Sequence, residues 1–165
     1  MGWLAPFAMP APMSSASASA RSRSRSAARL AAVQALYQQQ MEKTPLPVLL
    51  HEFHHHRLGA TIEDVEYADA EVDFFDDLVT GVDARSDEID ALISDKLAED
   101  WTLERLDRPM RQILRAGSYE LIARLDVPTA TVITEYVDVA HAFYDRRESA
   151  FVNALLDAVA KAVRK

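Results

Sequence analysis

Ser149-Ala150-Phe151-Val152-Asn153-Ala154-Leu155-Leu156-Asp157 has the period of a packed helix. Phe151, Val152, Leu155, Leu156 and, just beyond, Val159 recur at helical spacing, so the segment presents one apolar stripe to a core. Asn153 interrupts that pattern with a side chain that both donates and accepts hydrogen bonds, and it is expected to brace the packing. Immediately upstream, Asp145-Arg146-Arg147-Glu148 reads as a charged hinge that ends one helix and starts another. A packed helix with a basic hinge beside an aromatic suits two roles, an RNA contact or the last helix of a bundle.

Working outward, every other segment with a clear period is also helical. Leu30, Val33, Leu36, Tyr37 and Met41 give a buried face to a helix from about Ala27 to Lys43, with Ser26 as its cap and Thr44-Pro45 as its stop. Val48, Leu49, Leu50 and Phe53 mark a second helix, about Pro47 to Leu58. Thr61 to Ala70 is acidic and reads as a loop. From Asp69 to about Leu97 the stripe Val72, Phe75, Leu78, Val79, Val82, Ile89, Leu92, Ile93 predicts one long helix, or two meeting near Gly81 to Ser86. Thr102 opens a short turn over Leu103 to Leu106. Asp107 then caps a helix with Pro109 in its first turn, where a missing N–H costs little. Gly117 inside that helix costs about 1 kcal/mol against alanine, which implies close approach of a neighbouring helix. Pro128 to Phe143 and Glu148 to about Val163 complete the set. Strand patterns are absent, and the expectation is an all-α fold of about seven helices.

The chain has 165 residues, 49% of them hydrophobic, enough for one domain with a real core. Residues 1–22, rich in Ala, Ser and Pro, read as a disordered low-complexity extension. That start lacks a positive flank before its apolar part and is broken by Pro6, Pro10 and Pro12, which argues against a secretory signal. No apolar run is long enough to span a membrane. There is no cysteine, so disulfides and thiolate metal sites are excluded and a reducing cytoplasm is the expected setting. The net charge of -8 argues against non-specific nucleic-acid binding, yet Arg21, Arg23, Arg25 and Arg29 form a local basic patch. Arginines at the start of a helix oppose its dipole and hint at an anionic partner. Arg108, Arg111 and Arg115 make a second basic stripe.

Reactive centres are harder to find. There is no Gly-rich phosphate loop, nucleophile elbow or cysteine nucleophile. Glu52 and His55 make one Glu-x-x-His pair, but a carboxylate-bridged di-metal bundle needs two, so His51, His54, His55 and His56 read as a solvated cluster and no metal or cofactor is expected. Glu135, Asp138 and His141 read as the wet edge of a helix. The chain offers binding surfaces, and catalysis is not expected.

Several segments together resemble the NusB family of bacterial transcription antitermination factors. They are Arg29 to Tyr37 (RLAAVQALY), Phe75 to Val82 (FDDLVTGV), Ile113 to Leu121 (ILRAGSYEL), Asp126-Val127-Pro128 and Phe151 to Asp157 (FVNALLD), in the family's order over about Arg25 to Lys161. The resemblance implies two small three-helix-type subdomains, about residues 23–100 and 101–165. It implies a non-enzymatic protein that binds the boxA element of ribosomal RNA transcripts together with NusE, a ribosomal small-subunit protein. That pair would act indirectly on RNA polymerase with other Nus factors. Some family members self-associate, so a homodimer is a further expectation. The arginine-rich start matches at Arg25 and Arg29, with phosphate contact implied. Tyr37 and Phe151 match family aromatics, each either core or an RNA contact. Tyr144 and Ala154 stand where the family often has glycine, and Arg146 and Arg147 replace acids, so an electropositive hinge touching RNA is expected. NusE is expected on the second subdomain, with Arg111 and Arg115 as candidate contacts. Two alternatives remain: a module related to the amino-terminal domain of ribosomal RNA cytosine methyltransferases, and a helical protein-interaction module.

Overall fold

The computed structural model describes residues 15–55 and 65–164. These form seven α-helices and, among the described residues, no strand: α1 (Ser15–Glu42), α2 (Leu46–Phe53), α3 (Val65–Ala84), α4 (Ser86–Lys96), α5 (Arg108–Ala123), α6 (Thr129–His141) and α7 (Arg146–Val163). A single 3₁₀ turn, Leu103–Arg105, leads into α5. No described helix is long and apolar enough to cross a membrane.

The number of helices agrees with the sequence reading, and several boundaries move. Helix α1 begins at Ser15, not Ala27, so the final part of the expected extension is helical, while residues 1–14 lie outside the described residues. After Met13 the chain holds only Ser, Ala and Arg up to Leu30, and nothing there breaks a helix. Ser26 is therefore interior to α1 and not its cap; its hydroxyl bonds the Ser22 carbonyl and the Glu135 carboxylate. Helix α3 begins at Val65, inside the expected acidic loop, because no Gly or Pro stands between Val65 and Thr80. The α3–α4 break falls at Arg85, within the expected window. The end of the second predicted helix, from His56 to Leu58, lies outside the described residues.

Helix α1 is the spine. It packs on α2 and α3 along one side and on α5 and α6 along another. Helices α5, α6 and α7 pack on one another, and α4 bridges to α5 and α7. Ala28, Ala32, Val33, Phe75, Leu78, Ile113, Leu114, Tyr136, Val152 and Leu156 are buried in one continuous core. Asn153 does not brace that core; it is exposed on α7. Tyr37 and Met41, assigned to the buried face of α1, are 38% and 45% exposed.

Two glycines set helix approach. A Cβ on Gly117 would lie 2.8 Å from a Leu156 methyl, so α5 and α7 meet there as the sequence implies. A Cβ on Gly81 would fall 2.1–2.5 Å from the Tyr119 ring and hydroxyl. That ring is held: its hydroxyl donates to Asp77 at 2.6 Å, and burial followed by the Asp77 charge pushes its pKa up to about 12. Gly81→Ala is expected to lower unfolding free energy by about 1–3 kcal/mol from overpacking, despite its better helix propensity. A urea titration of both proteins checks this, and an unchanged midpoint would show that Tyr119 swings out freely.

Candidate nucleic-acid interface

Helix α5 has one acid on its buried face. Glu120 sits between Tyr119 and Leu121 and is 0% exposed. A carboxylate there requires a partner, and Arg29 supplies it. The guanidinium donates from Nη2 at 2.7 Å and from Nε at 3.0 Å to the Glu120 oxygens, and from Nη1 at 2.7 Å to Glu135. The Tyr136 hydroxyl donates to Glu120 at 2.8 Å. Burial alone would lower the pKa of Arg29, but the Glu120 bond and charge outweigh it and raise it. Burial pushes the Tyr136 phenol well above its usual range. Arg29 is therefore not positioned for phosphate contact. It is 3% exposed and locks α1 onto α5 and α6, which corrects the expectation drawn from its place in the arginine-rich start.

Arg25, one turn earlier, sits differently. The guanidinium carbons of Arg25, Arg29 and Arg124 lie 4.8, 5.0 and 4.9 Å from the centroid of the buried Phe74 ring. Burial, then the charge of Arg124, lowers the pKa of Arg25. Its carboxylate partner, Asp126, is 4.0 Å away, and its side chain is 35% exposed. A cation crowded by cations and loosely paired gains from an added anion. Arg25 lines a shallow cavity of about 300 Å³ with Arg21, Asp126, Pro128 and Glu135. Phe74, which the sequence reading passed over, is the surface on which these arginines stack.

Arg146 and Arg147 are the first two residues of α7, not a hinge before it, and both are exposed. The argument about cations at a helix start thus moves from α1 to α7. Arg25 and Arg29 are well inside α1, whereas Arg146 and Arg147 stand against the α7 dipole, beside unpaired backbone N–H groups. Arg147 also lines an apolar groove of about 440 Å³ with Trp101, Leu106, Met110, Tyr144 and Phe151. Phe151 is half-buried, with its ring forming part of that wall. Trp101 is 46% exposed, and the Arg105 guanidinium lies 5.1 Å from its ring centroid. An aromatic groove rimmed by arginine accepts a flat, unpaired base and its phosphate. Trp101 and Arg105 line this groove and were not singled out from the sequence; a tryptophan four residues from an arginine was the available signal.

The remaining candidates are placed as follows. Arg115 makes a two-point ion pair with Asp90, at 2.7 and 2.8 Å, that ties α5 to α4. Arg111 donates to the carbonyls of Glu104 and Leu106 and so closes the 3₁₀ turn. Both are half-buried and occupied within the chain, and they do not form a free basic stripe. Glu135 pairs with Arg29, and His141 Nδ1 meets the Ser149 hydroxyl at 3.2 Å, so Glu135, Asp138 and His141 do not converge on one centre. The α1 arginines contact the end of α5 and the α7 arginines lie near its start. At about 1.5 Å per residue the 16 residues of α5 separate the two patches by roughly 20 Å.

Comparison with known proteins adds to this geometry. The family model described as "NusB family" matches residues 26–161. A transcription antitermination protein NusB from Novosphingobium aromaticivorans is 73% identical over 138 residues, covering 84% of this chain and 93% of the relative. One from Sphingopyxis alaskensis is 68% identical over 139 residues, with 84% and 93% covered. Among solved structures, T. maritima NusB matches with a TM-score of 0.71 at 30% identity, covering 83% of this chain and 90% of that one. A structure of antitermination factors NusB and NusE in complex with dsRNA matches with a TM-score of 0.70 at 26% identity, covering 85% and 98%.

Proposed function

The chain belongs to the NusB family, and from that premise we propose that it is a transcription antitermination factor that binds boxA RNA of ribosomal RNA transcripts together with NusE. The observation that carries the RNA contact is the start of α7. Two exposed arginines oppose the helix dipole there, and one of them, Arg147, lines a groove walled by Trp101 and Phe151. Phosphates would meet Arg146 and Arg147, with Arg25 as a second contact toward the other end of α5. A base would enter the groove. Tyr37, exposed on α1, is a further candidate for stacking. Such a role is binding without catalysis, in the cytoplasm, and it reaches RNA polymerase only through the assembled factors. The division into two helical subdomains near residue 100 is part of the proposal. It is supported by the mutual packing of α5, α6 and α7, although α4 also leans on that half.

The test is a fluorescence anisotropy titration of labelled boxA RNA with the full chain, with and without NusE. Saturable binding that tightens on adding NusE is expected, with a scrambled RNA of the same length binding more weakly. A helical interaction module without RNA would bind NusE and leave the labelled RNA free.

A further inference from the structure

Helix α2 and the turn that follows it carry histidines that the proposed RNA contact leaves unused. His51 and His55 are one turn apart, both are exposed, and their ring centroids are 4.4 Å apart with planes inclined at 59°. His54 stands between them in sequence but faces elsewhere. Its Nε2 is 2.6 Å from Asp76 on α3, and its ring lies edge-on to the buried Phe75 at 6.1 Å. Glu52 is engaged by the Gln38 amide at 3.2 Å. Among the described residues, one histidine of this segment is thus joined to α3 and two stand side by side toward solvent.

We propose that His51 and His55 chelate one divalent transition-metal ion of the copper, nickel or zinc class. Neutral imidazole is the preferred ligand of these ions, and metal–nitrogen bonds run about 2.0–2.1 Å. Two imidazoles bound at adjacent positions of one ion, near a right angle, place their ring centres about 4.5 Å apart. The observed centroid separation of 4.4 Å is close to that spacing, so the two rings stand near enough to share one ion. Water completes the coordination, since His54 is held by Asp76. The full set of partners for a di-metal bundle is not required, because a two-ligand chelate needs only one helical turn. A bound ion would also join consecutive turns and fix the end of α2.

The experiment uses the untagged full chain, stripped with a chelator and titrated separately with CuCl2, NiSO4 and ZnCl2 against a chromogenic competitor. One ion per chain is expected, with copper bound more tightly than nickel or zinc, as the usual order of divalent affinities requires. His51→Ala and His55→Ala should each weaken copper binding by about tenfold or more, and His54→Ala should leave it unchanged. Circular dichroism of the three variants confirms that the helices are retained. Equal losses in all three variants, or no binding tighter than about millimolar, would overturn the assignment.

Discussion

Replacing Arg29 by methionine is expected to lower the unfolding free energy by about 3–5 kcal/mol, the range for removing one partner of a buried ion pair. The side chain is 3% exposed and Glu120 is 0% exposed, so the variant leaves a carboxylate in the core with only the Tyr136 hydroxyl to satisfy it. Domains of this kind are stable by about 5–15 kcal/mol, so the loss is a large share of the total. Urea denaturation at pH 7 measures it. Arg29→Met combined with Glu120→Met should recover about half of the loss, since an apolar pair of similar volume needs no partner. If Arg29→Met unfolds at the parent's urea midpoint yet loses RNA affinity, Arg29 is a phosphate contact and not a core residue.

The network also explains why an ion pair stands where apolar packing would serve for stability. Arg29 reaches α5 and α6 at once, through Glu120 and Glu135. Slipping α1 one turn toward its start would set Val33 against Glu120 and leave a buried carboxylate without its cation, so the pair disfavours that register of the spine helix.

What was legible in the sequence follows from the range of the forces involved. The helices were legible because the apolar stripe is a local signal, repeated every turn: Leu78, Val79, Val82 and Ile89, Ile93 are buried as their spacing requires. The close approach at Gly117 was legible because a glycine inside a good helix needs a reason. Helix ends were less so, since Ser15 to Ser26 alternates residues that neither nucleate nor break a helix strongly. The fate of the arginines was not legible at all. Arg29 and Glu120 are 91 positions apart, and no local pattern separates Arg29 in the core from Arg25 near the surface. Asn153 was misread for the same reason. It follows the buried Val152, but on a helix adjacent residues face different ways, and only the position of the groove shows that Asn153 points outward. The groove itself joins Trp101, Met110 and Phe151 from three separate segments.

Reversing two charges at the start of α7 tests the interface most directly. Arg146→Glu with Arg147→Glu is expected to weaken boxA binding by about 10–100-fold near 0.1 M salt. The slope of log affinity against log salt should fall by about 1.4, as two single-strand phosphate contacts of roughly 0.7 each are lost. Thermal stability should hold or rise slightly, because acids at a helix start favour the dipole where arginines oppose it, by about 0.3–1 kcal/mol each. Loss of binding by a protein at least as stable as its parent cannot be assigned to misfolding. The neighbouring wall gives a parallel readout. The chain has two tryptophans, Trp3 and Trp101, so Trp3→Phe leaves one emitter in the groove. A base stacking there should quench it, and Trp101→Ala should weaken RNA by an amount on the scale of one stacked base, about 1–3 kcal/mol. If the double reversal leaves both affinity and salt slope unchanged, α7 begins with a solvated connector, and the RNA path must run along the Arg25 end of α1.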